Sequence, residues 1–229
     1  MSSHEGHTLT SFDDDLQNLR SSVLMMASLS QRNLENVRRG LLERNSDLCN
    51  EAVGKDDEVD ELERQVDREG MELILRYAPV ASDLRQVLRS MKVATDLERV
   101  SDQAVGIAKR ARKLNKQTEV AATKTMEPVF DLACQLLRDS VRAFSDGNIE
   151  LARTVIAGDG ELDNLHKEVL KQLTSLMEED LDNLRIYLHL TFVVRFLERV
   201  GDHAVNIAEE LVFIEGGSDI RHLKASQAA

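Results

Sequence analysis

Four acidic pairs recur along the chain at one spacing: Glu98 with Asp102, Glu198 with Asp202, Asp56 with Asp60, and Asp159 with Asp163. Residues four apart are neighbours on a helix, where like charges repel by about 0.2–0.5 kcal/mol. A cation held between them would remove that cost. Carboxylate oxygens suit hard or borderline cations such as Mg²⁺, Mn²⁺ or Fe. A second reading stands beside this one, that of a solvated charged face. Arg99 can pair with Asp102, Arg199 with Asp202, and Arg195 with Glu198, all at i,i+3. Exposed pairs of that kind contribute little. His203 adjoins Asp202 and could ligate or hydrogen-bond, but the first copy has Gln103 there. Histidine at that place is therefore not required at both sites.

The elements that carry these residues are duplicated. DLERVSDQAVGIAKRA at 96–111 reappears as FLERVGDHAVNIAEEL at 196–211, and half the positions of 83–108 recur at 183–208 without a gap. KDDEVDEL at 55–62 likewise matches GDGELDNL at 158–165. Such self-similarity marks one structural unit used twice. Each unit reads as three helices, over 9–43, 46–76 and 83–115, then 125–146, 149–178 and 183–215. Pro79 ends one helix and Ser82 can cap the next, while Ser46 is a plausible cap for the second helix. SDGN at 145–148 has turn chemistry. Pro128 sits near a helix start, and 116–122 holds the join.

A stripe of Val93, Leu97, Val100, Ala104, Ile107, Ala111 and Leu114 alternates steps of four and three. Val193, Leu197, Val200, Ala204, Ile207, Leu211 and Ile214 repeat it. That seam suits shallow-angle bundle packing. Glu98 and Asp102 fall about opposite it, on an outer face or beside a groove. Asp56 and Asp60 lie beside the apolar line of Val59, Leu62 and Val66. The two pairs of a unit thus stand on adjacent antiparallel helices and could surround one point.

The rest of the composition narrows the function. The net charge of −12 disfavours nucleic-acid binding. The two cysteines form neither a zinc pattern nor a disulfide framework, which suits a reducing cytosol. The first residues are too polar for a signal peptide, and Arg195 breaks the most apolar run, so no membrane span is expected. No nucleophile elbow, phosphate loop or dinucleotide fingerprint is present. The Glu-x-x-His pairs of di-iron bundles are also missing. An all-α, non-enzymatic protein is expected.

LERVSDQAVGIAK (97–109) and LERVGDHAVNIAE (197–209) resemble the duplicated signature of the PhoU family, and RYAPVASDLR (76–85) resembles its loop into the third helix. The likeness runs from about His7 to Gly217. It implies two tandem three-helix bundles, over 8–116 and 123–216, between flexible termini at 1–7 and 217–229. It implies metal binding through E(D)xxxD motifs at Asp56, Asp60, Glu98 and Asp102, and at Asp159, Asp163, Glu198 and Asp202, with Fe, Mn, Mg or Zn as candidates.

The resemblance further implies a cytoplasmic negative regulator of phosphate uptake and of the phosphate-starvation response. Such a protein links the phosphate ABC transporter ATPase to a sensor histidine kinase. A homodimer and peripheral association with the inner face of the membrane are implied too. The alternatives are a metal-storage or metal-dependent redox bundle using the same carboxylates, and a plain helical scaffold. The first unit departs from the second at Ser101, Gln103 and Gly106, against Gly201, His203 and Asn206. That departure leads to the expectation that the C-terminal site holds metal better.

Overall fold

The stripes read from the sequence are what the helices bury. The protein was analysed as a computed structural model that describes residues 3–216, with side chains over 11–213. Seven α-helices follow one another: α1 (Ser3–Leu42), α2 (Ser46–Gly54), α3 (Asp56–Tyr77), α4 (Ala81–Leu114), α5 (Met126–Asp146), α6 (Ile149–Glu179) and α7 (Leu184–Gly216). Short 3₁₀ turns at Ala121–Thr125 and Leu181–Asn183 precede α5 and α7. Helices α1, α3 and α4 pack as one bundle, with α2 capping its end, and α5, α6 and α7 as the other. Helix α4 lies along α7 and α1 touches α5, so the two bundles share one continuous core.

Val93, Leu97, Val100, Ala104, Ile107 and Ala111 are buried, as are Val193, Leu197, Val200, Ala204, Ile207 and Leu211. Each buried valine, leucine or isoleucine contributes about 1.5–3 kcal/mol. The side chain of Ile214 lies outside those described, as do Met1, Ser2 and 217–229 of the expected termini. Helix α1 begins at Ser3, earlier than the expected residue 9.

Three local expectations are corrected. The second helix of the first unit is divided at Lys55, not continuous over 46–76. Lys55 keeps an N–H bond to the carbonyl of Glu51, but its own carbonyl accepts from Glu58 three residues on. Gly54, a poor helix former, adjoins this tightened turn. Asn45, not Ser46, caps α2, its Oδ1 accepting from the N–H of Asp47 and Leu48. Ser82 does not cap α4. The chain enters through Val80, with Ala78 and Ala81 at positive φ on either side of the Pro79 turn.

Gly147 ends α5 in the left-handed region and Asn148 caps α6, as SDGN suggested. Arg44, itself at positive φ, ends the turn after α1 and donates to the carbonyls of Leu114, Asn115 and Gln117. A cation there complements the C-terminal dipole of α4. No helix among the described residues is long and apolar enough to cross a membrane.

Candidate functional site

Antiparallel neighbours α3 and α4 bring Asp56 and Asp60 opposite Glu98 and Asp102. Glu98 lies in the groove with its side chain 16% exposed, whereas Asp102 is 46% exposed. Burial pushes the Glu98 carboxyl up to about 7, and repulsion from Asp102, Glu63 and Asp60 adds to this, opposed by Arg99. Burial also raises Asp56, joined by repulsion from Asp60 and Asp102 and opposed by a hydrogen bond from Ser101. The four predicted carboxylates of the first unit therefore share one field.

The second unit repeats the arrangement on α6 and α7. Partial burial in the groove raises Asp202, and repulsion by Glu198, Asp159 and Asp163 follows. Each quartet is brought together electrostatically. Neither closes around a single point: among the described residues no three His, Cys, Asp or Glu side chains gather closely enough to hold a metal ion.

Glu98 Oε2 is buried without a hydrogen-bond partner. Arg99 Nε lies 3.3 Å from it but is not aligned to donate. The Arg99 charge offsets part of the cost of burying that oxygen, whose hydrogen-bonding capacity stays unused. The donor set is all oxygen, which matches hard cations. The exposed Asp102 and half-buried Asp60 would have to turn toward Glu98 to complete a shell.

The ion-pair reading holds in one place. Arg99 Nη1 lies 3.5 Å from Asp102 Oδ2. Arg64 approaches Asp60 and Lys167 approaches Asp163 at the outer edge of each range, 4.0 and 3.9 Å. The expected pairs of Arg195 with Glu198 and of Arg199 with Asp202 are not formed, and both arginines remain exposed. An exposed pair must hold two long side chains in one geometry, and that entropy cost decides against it here.

His203 and Asn206, which set the second signature apart from the first, bond across to α4. His203 Nδ1 sits 2.9 Å from Asp96 Oδ1, and Asn206 Nδ2 donates to the same oxygen at 3.1 Å. Both therefore join α7 to α4, and His203 is also the group that opposes the rise at Asp202. In the first unit the support comes from a residue the sequence reading passed over. Ser101, fully buried, donates to Asp56 Oδ1 at 2.9 Å and accepts from Asn33 Nδ2 at 3.2 Å. The signatures at 97–109 and 197–209 differ at 101, 103, 106 and 109, which marks Ser101 without saying what it bonds.

Other reactive groups are inert by position. Cys49 and Cys134 are free and buried, and burial pushes their thiols up to about 11 and about 12. Thiols so raised are poor nucleophiles at neutral pH.

Comparison with known proteins agrees with the duplicated architecture. A family model described as the PhoU domain matches twice, at residues 23–111 and 127–211. The phosphate-specific transport system accessory protein PhoU homolog of Zymomonas mobilis is 34% identical over 215 residues, covering 94% of this chain and 91% of that protein. Its namesake in Xylella fastidiosa strain Temecula1 is 32% identical over 219 residues, covering 96% and 91%. The crystal structure of PhoU from Pseudomonas aeruginosa superimposes with a TM-score of 0.88 at 30% identity, covering 90% of this chain and 100% of that one. With two matched domains accounting for both bundles, this chain belongs to the PhoU family.

Proposed function

We propose that the protein is a cytoplasmic accessory regulator of phosphate transport. It acts as a non-enzymatic adaptor that restrains phosphate uptake and the phosphate-starvation response. The observation that carries this reading is the full-length match to accessory proteins of phosphate-specific transport systems, in both domains and in the fold. The adaptor stands between the transporter ATPase and a sensor histidine kinase, and works as a homodimer.

In this reading the two acidic quartets are its ligand sites. Asp56, Asp60, Glu98 and Asp102 hold one divalent or trivalent cation cluster, and Asp159, Asp163, Glu198 and Asp202 another. The buried oxygen of Glu98, which accepts no hydrogen bond and is met by Arg99 alone at 3.3 Å, and the mutual repulsion within each quartet support this. A bound cation supplies positive charge at a surface that is otherwise strongly acidic. It can thereby bridge the protein to an anionic membrane face or to an acidic partner.

A strain lacking the gene tests the regulatory reading. Alkaline phosphatase activity in high phosphate is expected to rise and to return to its repressed level on complementation. Unchanged repression in the deletion strain would contradict it.

A further inference from the structure

A cleft of about 360 Å³ opens between α1, α4 and α5, away from both acidic grooves. Its wall includes Arg20 from α1, Ser82, Arg85, Gln86 and Arg89 from α4, and the turn at Gly147. No carboxylate lines it. That is against the composition of the chain, which has 41 Asp and Glu to 29 Lys and Arg. Other clefts follow the composition: one is lined by Asp15, Glu69 and Glu72, another by Asp96, Glu209 and Glu210, and a third, which shares Arg85 and Arg89 with this one, by Asp67 and Glu210.

The donors are placed by the fold. Arg20 is held across the α1–α5 contact by one hydrogen bond, from Nη2 to the carbonyl of Ser145 at 3.3 Å. A guanidinium has five N–H donors, so four remain. Arg85 makes no hydrogen bond or ion pair among the described residues. Arg89 has partners of its own and contributes charge to the wall. Gln86 adds an amide, while the one hydroxyl hydrogen of Ser82 is donated to Asp83 Oδ1 at 3.2 Å.

The cleft also lies at the start of a 34-residue helix whose entry residue, Val80, supplies no side-chain cap. Ser82, in the first turn of α4, lines the cleft, so the positive dipole end lies beside it. Ala78 and Ala81 hold positive φ beside it, conformations that cost an alanine about 1–3 kcal/mol. Backbone strain of this kind collects at ligand sites.

We propose that this cleft binds a phosphate-type oxyanion, either free phosphate or the terminal group of a small phosphomonoester. Planar guanidinium groups pair bidentately with such oxyanions. The volume admits either form. This site is separate from the acidic quartets and does not depend on the adaptor reading.

Isothermal titration of the full chain with inorganic phosphate, and separately with AMP, at constant ionic strength tests the proposal. Saturable binding of at least one probe is expected. Saturation by phosphate identifies the free ion, and saturation by AMP alone identifies the ester. Arg85→Gln and Arg20→Gln should each weaken binding about tenfold or more, in line with loss of a charge-assisted hydrogen bond. Arg185→Gln, at the matched position of the second unit, should leave it unchanged. Arg85 is exposed and unbonded, so its variant is expected to fold and decides the matter even if Arg20→Gln does not. No saturable binding of either probe, binding untouched by Arg85→Gln, or an equal loss with Arg185→Gln would overturn the proposal.

Discussion

The two repeats hold the same carboxylates with different interiors behind them. In the first, Val59 on α3 and Ser101 on α4 are both fully buried. In the second, the matched positions are Leu162 and Gly201 on α6 and α7. Ser101 fills its place with a hydroxyl that bridges Asn33 and Asp56. Gly201 leaves its place to a leucine: a Cβ there would stand 2.2 Å from Leu162 Cδ2. A larger residue on one helix is offset by a smaller one on its neighbour, as close packing requires. The acidic groove outside survives both solutions.

The seam between the repeats shows the same trade. Helices α4 and α7 meet about an approximate two-fold relation between the units. On one side Gly106 lets the Phe196 ring approach, and a Cβ would lie 2.8 Å from its Cζ. On the other side, the matched pair is Asn206 and Asp96, joined by a hydrogen bond and reinforced by His203. One half of the contact is aromatic against backbone and the other is polar. Duplication has thus kept the outward carboxylates while the inward pairs diverged together.

This comparison can be broken by exchanging the interiors. Gly201→Ser alone is expected to cost about 1–3 kcal/mol by overpacking against Leu162, lowering the thermal midpoint. Leu162→Val alone should cost about 0.5–1.5 kcal/mol. The double variant should lose clearly less than the sum, a coupling that a double-mutant cycle reads directly. Additive losses would show that the two positions do not compensate.

The first repeat offers the polar counterpart. Ser101→Ala leaves Asn33 without its buried acceptor and is expected to cost about 1–2 kcal/mol. It also removes the hydrogen bond that holds down the Asp56 carboxyl. Asp56 should then titrate higher in carbon-13 NMR, with no change at Asp202. An unmoved Asp56 would separate Ser101 from the acidic groove.

Glu98 gives the pH dependence. Its folded pKa, about 7, stands above the ordinary value of 4.5. Folding therefore favours the protonated form. That contribution is fully present below about pH 4.5 and is lost as pH rises through 7. In chelator, Glu98→Gln is expected to raise stability at pH 8 by about 1 kcal/mol and to change it little at pH 4. The smallest effect belongs to the seam. His203→Gln should cost under about 1 kcal/mol, since Asn206 still bonds Asp96, and should leave the acidic groove untouched.

Much of this was legible in the sequence. A repeated thirteen-residue signature and two seams of fours and threes give the helices, their pairing and the burial of Leu97 and Leu197. The meeting of Asp56 and Asp60 with Glu98 and Asp102 follows from antiparallel neighbours. What escaped depends on contacts between distant segments. Nothing within α7 says that His203 reaches Asp96, more than a hundred residues earlier, instead of Asp202 beside it. Nor does local propensity choose Asn45 over Ser46 as a cap, because both residues have the required side-chain oxygen. The division at Lys55 escaped because helical φ and ψ persist through it, and only the hydrogen-bond register tightens. The Ser101 bridge was hidden because serine in a helix usually satisfies itself on its own backbone.

The account rests on the two quartets being one duplicated ligand site. Titration of the metal-free protein with Mn²⁺ at pH 8 tests this most directly. Saturable binding is predicted, and it should be lost when Glu98→Gln and Asp102→Asn are combined with Glu198→Gln and Asp202→Asn. Absence of binding, or binding unchanged in that quadruple variant, would contradict it.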